Sequence, residues 1–127
     1  MTTHVYLVED NLVIRDSLLA AMEDIADMVV VGTAQTEAEA LDWLRENSAE
    51  WDLLVVDLFL VEGSGMEVVK ACGTRGPAQR VIVLTNYAEV ASDRAKLRGA
   101  DAVFDKTTQL DDFLAYVERC TAEVDRH

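Results

Sequence analysis

Five polar side chains stand at or just past the carboxyl ends of short apolar runs. Glu9 and Asp10 follow His4–Val8, Asp57 follows Leu53–Val56, Thr85 follows Arg80–Leu84, and Lys106, behind Asp105, follows Ala102–Phe104. Each has a distinct use if the fold brings them to one rim. Three clustered carboxylates repel one another and raise each other's pKa unless a cation neutralises them. A hard divalent ion with oxygen ligands does so, and Mg2+ suits a small, partly hydrated site. Asp57 can then act as a nucleophile toward phosphorus. Lys106 and the metal would neutralise the transferring oxygens, and the Thr85 hydroxyl would hold one of them. Taken singly, most of these residues have plainer uses. Asp10 or Asn11 can simply cap the next helix, Thr85 can be a loop hydroxyl, and Lys106 a solvated lysine. Asp57 is harder to dismiss, because a carboxylate ending the Leu-Leu-Val-Val run is costly to desolvate without partners.

Five apolar runs must carry these groups: His4–Val8, Met28–Val31, Leu53–Val56, Arg80–Leu84 and Ala102–Phe104. They are rich in Val, Ile and Leu without polar alternation, as expected for strands buried on both faces of a parallel sheet. Helical periodicity fills the gaps. Ile14, Leu18, Met22 and Ile25 form one stripe. Thr36 and Glu39 have capping-box spacing ahead of Leu41 and Leu44, and Thr108 and Asp111 repeat it ahead of Leu110, Phe113, Leu114, Val117 and Val124. Gly65 precedes Met66, Val69 and Cys72, while Ala88–Arg98 is helix-permissive with a thin stripe. The alternation predicts an α/β fold, a doubly wound five-stranded parallel sheet with right-handed crossovers and helices on both faces. Such sheets bind ligands outside the carboxyl ends of their strands, where the five side chains fall.

The chain has 127 residues, enough for one core but short for two, and the last stripe ends near the terminus. A single domain over residues 1–127 with no output domain is expected. The apolar runs fall far short of the ~20 residues needed to span a membrane. No basic segment precedes a long apolar stretch, and Cys72 and Cys120 lack metal-ligand spacing, so a reducing cytoplasm is expected. The net charge of −13, from 24 acidic against 11 basic residues, repels phosphate backbones. It argues against direct nucleic-acid binding and favours metal cations and basic patches on protein partners.

These motifs resemble the receiver domain of bacterial two-component response regulators, with the CheY-like, flavodoxin-like fold and strand order 2-1-3-4-5. The resemblance runs from Tyr6 to about Val124 and rests on motifs in family order. They are Leu7-Val8-Glu9-Asp10, Val56-Asp57-Leu58, Gly65, Leu84-Thr85, Gly99-Ala100-Asp101 and Phe104-Asp105-Lys106. It implies that Asp57 takes a phosphoryl group from the phosphohistidine of a sensor histidine kinase or a histidine phosphotransfer protein. Asp10, Glu9 through water, Asp57 and the backbone carbonyl of Phe59 would bind Mg2+, and Thr85 and Lys106 would contact the phosphoryl oxygens. Thr85 and Phe104 would form a switch. It would act on the face built from Ala88–Arg98, Ala102–Phe104 and Thr108–Val124, which meets a downstream protein. Such a domain is not an enzyme toward other substrates; it catalyses its own phosphorylation and dephosphorylation, as a monomer or a phosphorylation-dependent dimer.

The sequence departs from the family pattern at several places. Val61 replaces the proline usual four residues after the acceptor, which loosens that loop. Thr107 replaces the proline usual after the lysine, which puts the customary cis bond in doubt because cis non-proline bonds are costly. Asn86 stands where a small residue is usual and narrows access to Thr85 and Asp57, and Thr85 to Lys106 is about one residue shorter than usual. Phe59 and Tyr87 flank the pocket and suggest slow dephosphorylation. Two other readings compete. A phosphatase using an aspartyl-phosphate wants a second acid two residues past the nucleophile, where Phe59 stands. A pseudo-receiver or flavodoxin-like interaction module would not use phosphorylation; Asn11-Leu12-Val13 after the first strand offers no flavin phosphate loop.

Overall fold

A computed structural model describes residues 2–86, 95–96 and 98–125. The elements run β1 (Thr3–Val8), α1 (Leu12–Glu23), β2 (Met28–Ala34), α2 (Glu37–Glu46), β3 (Leu53–Val56), α3 (Gly65–Ala71), β4 (Arg80–Thr85), β5 (Ala102–Asp105) and α4 (Leu110–Asp125). The five strands form one parallel sheet in the order β2-β1-β3-β4-β5, as expected. Among the described residues, no helix is long and apolar enough to cross a membrane.

Strand side chains alternate between two cores, because successive residues point to opposite faces. Tyr6 and Val8 of β1, Leu54 and Val56 of β3, and Val81 and Val83 of β4 pack with Ala40, Leu44, Val68 and Val69 of α2 and α3. Val5, Leu7, Leu53, Val55, Ile82 and Leu84 pack on the other face with Leu18 and Met22 of α1 and Phe113, Val117 and Cys120 of α4. The inner strands β1, β3 and β4 are therefore mostly apolar, because both of their faces need filling.

β2 is the exception to the expected two-sided burial. As an edge strand it alternates half-buried with exposed residues, and Val29 and Val31 face out. Its ladder with β1 slips at Val31, where one residue is extra, and then carries Gly32 to Ala34 into the sheet. The strand thus extends three residues past the expected Val31, held by pairing rather than by side-chain pattern. Gly32 allows the close pass: a Cβ there would lie 3.0 Å from the Tyr6 ring.

Helix caps explain most of the helix starts. Asn11, not Asp10, caps α1, its Oδ1 accepting from the Ile14 N–H at 3.0 Å. The Thr36–Glu39 box forms: the Glu39 N–H donates to Thr36 Oγ1 at 3.1 Å. The second expected box does not form as expected. α4 begins at Leu110, and Asp105 Oδ1 accepts the Thr107 and Thr108 N–H groups at 2.8 and 3.0 Å, closing the turn from the strand end instead. Cys72 and Cys120 are buried and form no disulfide among the described residues, and burial pushes the Cys72 thiol up to about 11. The expected helix Ala88–Arg98 lies mostly outside the described residues; Ala95 and Lys96 are helical.

Candidate functional site

The register of the sheet places the polar strand ends side by side. Val8 pairs with Val56 and Val56 with Val83, so Glu9 and Asp57 emerge one residue beyond paired positions. Thr85 ends β4 opposite Asp105, and its carbonyl accepts the Lys106 N–H at 3.1 Å. Glu9 and Asp57 are each anchored by their own backbone N–H, to the carbonyls of Ala34 and Val8.

One carboxylate oxygen from each of Glu9, Asp10 and Asp57 lies within 4.8 Å of the others. Lys106 crosses the rim to meet two of them, its Nζ 2.5 Å from Glu9 Oε1 and 2.8 Å from Asp57 Oδ2. The pairs are almost dry: the Lys106 side chain is 9% exposed, Glu9 1% and Asp57 8%. Burial pushes the Glu9 carboxyl above its ordinary value, and the Lys106 ammonium and Asn11 N–H only partly offset this. Burial pulls Lys106 down, but the carboxylates of Asp57 and Glu9 outweigh it and hold the ammonium above its ordinary value.

Backbone donors meet three more of the carboxylate oxygens. Glu9 Oε2 accepts from the Asn11 N–H at 3.2 Å and Asp57 Oδ1 from the Phe59 N–H at 3.2 Å. Asp10 Oδ2 accepts from the Val61 N–H at 2.6 Å. Among the described residues, one ammonium faces three carboxylates, which leaves net negative charge in a mostly buried cluster whose candidate ligand atoms are carboxylate oxygens. That donor set fits a small hard divalent cation.

The side chains of Thr85 and Phe104 differ in setting. Thr85 is fully buried. Phe104 is half-buried and meets Phe113 and Tyr116 of α4 edge-on, with centroids 6.2 and 5.6 Å away. Phe59 is 55% exposed and Val61 88%, beside the cluster. Asn86 is exposed, and its Oδ1 accepts from the Thr107 hydroxyl at 3.2 Å. No cis peptide bond occurs among the described residues, so Lys106–Thr107 is trans. Tyr87 lies outside the described residues.

The sequence expectation missed three contacts. Val61 supplies a backbone donor that proline lacks, but nothing local in the sequence pointed to Asp10 as its acceptor. The Thr107–Asn86 bond joins two of the departures from the family pattern. Glu37 had no signal: its Oε1 accepts the Ser64 N–H at 2.8 Å and its own N–H donates to Glu62 O, pinning the β3–α3 loop to α2.

Comparison with known proteins agrees with this geometry. The family model described as response regulator receiver domain matches residues 5–118. The chain is 36% identical over 93 residues to the DNA-binding transcriptional activator DevR/DosR of Mycobacterium tuberculosis, covering 73% of this chain and 41% of that protein. It resembles the response regulator domain of Thermotoga maritima CheB with a TM-score of 0.80 at 21% identity, over 97% and 96% of the two chains. A Burkholderia pseudomallei response regulator, crystallised with a phosphorylated aspartic acid, calcium ion and citrate, matches at 27% identity and TM-score 0.72, over 98% and 71%. The chain spans about half the length of the curated relatives it matches, 41% and 57% of the first two. With the sheet order, the acidic cluster and the lysine in the same frame, this chain belongs to the response regulator receiver domain family.

Proposed function

We propose that Asp57 accepts a phosphoryl group from the phosphohistidine of a sensor kinase or phosphotransfer protein, and that this changes the surface offered to a downstream protein. The observation that carries the reading is a 6%-exposed carboxylate held between an ammonium and two further carboxylates at strand ends. A structural aspartate has no need of such company.

Glu9, Asp10, Asp57 and the Phe59 carbonyl would hold Mg2+, which when bound neutralises the carboxylates and the transferring oxygens. The chain's own groups do the rest. An Asp57 oxygen attacks phosphorus, the bond from phosphorus to the donor nitrogen breaks, and the imidazole leaves with the electron pair and takes up a proton. Lys106, already 2.8 Å from Asp57 Oδ2, exchanges that contact for a phosphoryl oxygen. The Thr85 hydroxyl holds another oxygen, and its shift lets Phe104 reorient against Phe113 and Tyr116 of α4. DevR/DosR is a DNA-binding activator, but this chain matches 41% of it and carries −13 net charge. We therefore place a protein, not nucleic acid, against this domain.

The test is intact-protein mass after incubation with acetyl phosphate or phosphoramidate and Mg2+. One phosphoryl group should be gained, and Asp57→Asn should gain none. An unchanged mass with both donors overturns the proposal.

A further inference from the structure

We propose that the backbone N–H of Val61 is a positioning group for Asp10, holding Oδ2 so that the carboxylate enters the acidic cluster in one fixed orientation; this rests on the reading that Asp10 ligates Mg2+. The bond is 2.6 Å long and joins residues 51 apart in sequence. Charge-assisted N–H donors approach carboxylates more closely than neutral pairs do, and this contact lies at the short end. The Val61 side chain is 88% exposed, so packing does not hold the residue there. Its backbone does.

The donor is fixed from both sides. Leu60 is half-buried and packs against the core that α2 and α3 cover. Two residues before Val61, the Phe59 N–H donates to Asp57 Oδ1, so one loop touches two of the cluster carboxylates through amides at alternate positions. Phe59 and Ser64 pair as an isolated antiparallel bridge that closes the loop. Beyond Val61, the Ser64 N–H donates to Glu37 Oε1 at 2.8 Å and the Glu37 N–H donates to Glu62 O at 3.2 Å. Gly63 has φ +89°, and a Cβ there would lie 2.4 Å from the Glu37 Cβ. The loop is thus seated on the α2 N-terminus in a path only glycine permits.

A carboxylate has about four lone-pair sites, so accepting one N–H leaves it able to bind an ion. Hydrogen-bond partners of metal-ligating carboxylates fix the ligand's orientation. Proline at this position would supply no N–H. Valine supplies it, and the identity of its side chain is immaterial.

The experiment follows Mg2+ binding by 1H–15N NMR titration of wild type, Asp10→Asn, Val61→Ala and Val61→Pro, with amide exchange of Val61 measured with and without saturating Mg2+. Val61→Ala should bind as wild type does, Val61→Pro about 10-fold more weakly, and the wild-type Val61 amide should stay protected when Mg2+ is bound. Val61→Pro binding as tightly as wild type or tighter overturns the proposal. So does loss of Val61 protection on Mg2+ saturation, which would mean that the N–H competes with the ion for Asp10. The exchange measurement decides if Val61→Pro does not fold. An Asp10→Asn variant that binds Mg2+ as wild type does removes the underlying reading and this one together. Weakening by Asp10→Asn with none by Val61→Pro removes only the positioning role.

Discussion

The Thr107 hydroxyl donates to Asn86 Oδ1 at 3.2 Å, bridging the residues that follow Lys106 and Thr85. Both residues depart from the family pattern, and each supplies what the other needs. The bridge ties together the two loops that leave the site, and an exposed neutral bond of this kind is worth about 0.5–1.5 kcal/mol. If it restrains water at the rim, Thr107→Val and Asn86→Ala should each speed loss of the phosphoryl group from Asp57 a few-fold. The double variant should be no faster than either single one. Decay of the phosphorylated mass over time reads this, and additive effects would show that the pair does not act as a unit.

Lys106 is the next lever. Its ammonium separates the buried carboxylates of Glu9 and Asp57. Removing one partner of a buried pair leaves uncompensated charge and costs ~3–5 kcal/mol. Lys106→Met should therefore lower the stability measured by urea unfolding at neutral pH without Mg2+, by about 3 kcal/mol. An unchanged midpoint would show that the site is wet enough to screen the two carboxylates.

The same pairs set two pH limbs of opposite origin. The folded state raises Lys106 above 10.5, so its contribution is complete below 10.5 and is lost as pH rises through the raised value. Glu9 is raised from 4.5, so the folded state holds that proton more tightly than the unfolded chain does. Its contribution is greatest below 4.5 and is lost as pH rises through the folded value, the reverse of an ordinary salt-bridged carboxylate. Urea unfolding across pH should show the alkaline limb vanish in Lys106→Met and the acid-side slope flatten in Glu9→Gln. Parallel curves for variants and wild type would contradict both assignments.

The strand ends were legible because a parallel sheet buried on both faces writes its strands as continuous apolar runs. The first polar residue after each run then falls on the rim. Glu9, Asp57 and Thr85 could be found that way. β2 was cut short at Val31 because Gly32-Thr33-Ala34 carries no such run, and only pairing with β1 defines it. Asp105 was read as part of a motif, while its carboxylate closes the turn expected of Thr108. The contacts of Val61, Glu37 and Asn86 join residues 51, 27 and 21 apart and depend on loop paths that no local pattern records.

Phe104 tests whether the site speaks to α4. Its ring meets Phe113 and Tyr116 edge-on and takes no part in holding Asp57. Phe104→Ala should accept a phosphoryl group at the wild-type rate, yet lose most phosphorylation-linked NMR shift changes at Phe113 and Tyr116. It should cost about 2 kcal/mol, less than the ~3–5 kcal/mol of a fully buried phenylalanine. Undiminished shift changes on α4 would show that the signal leaves by another path.

Gly65 is where the backbone itself leaves no room. A Cβ added there would lie 2.0 Å from the Asp57 carbonyl oxygen and 2.7 Å from the Leu58 Cα. Both are backbone atoms, so no side-chain rotation relieves the clash, and either α3 or the acceptor strand must move. The Gly65 N–H donates to Leu58 O at 3.0 Å, which ties the two segments together and transmits the displacement. Gly65→Ala should cost about 1–3 kcal/mol, as overpacking does, and should also slow phosphoryl acceptance because the Asp57 peptide is the atom group displaced. Gly76→Ala is the control: its Cβ would meet only the Gln79 Oε1 at 3.6 Å, an ordinary contact. Urea unfolding and the rate of mass gain from acetyl phosphate, measured on both variants, separate the effects. A Gly65→Ala protein destabilised but phosphorylated at the wild-type rate would mean that α3 yields and the acceptor does not.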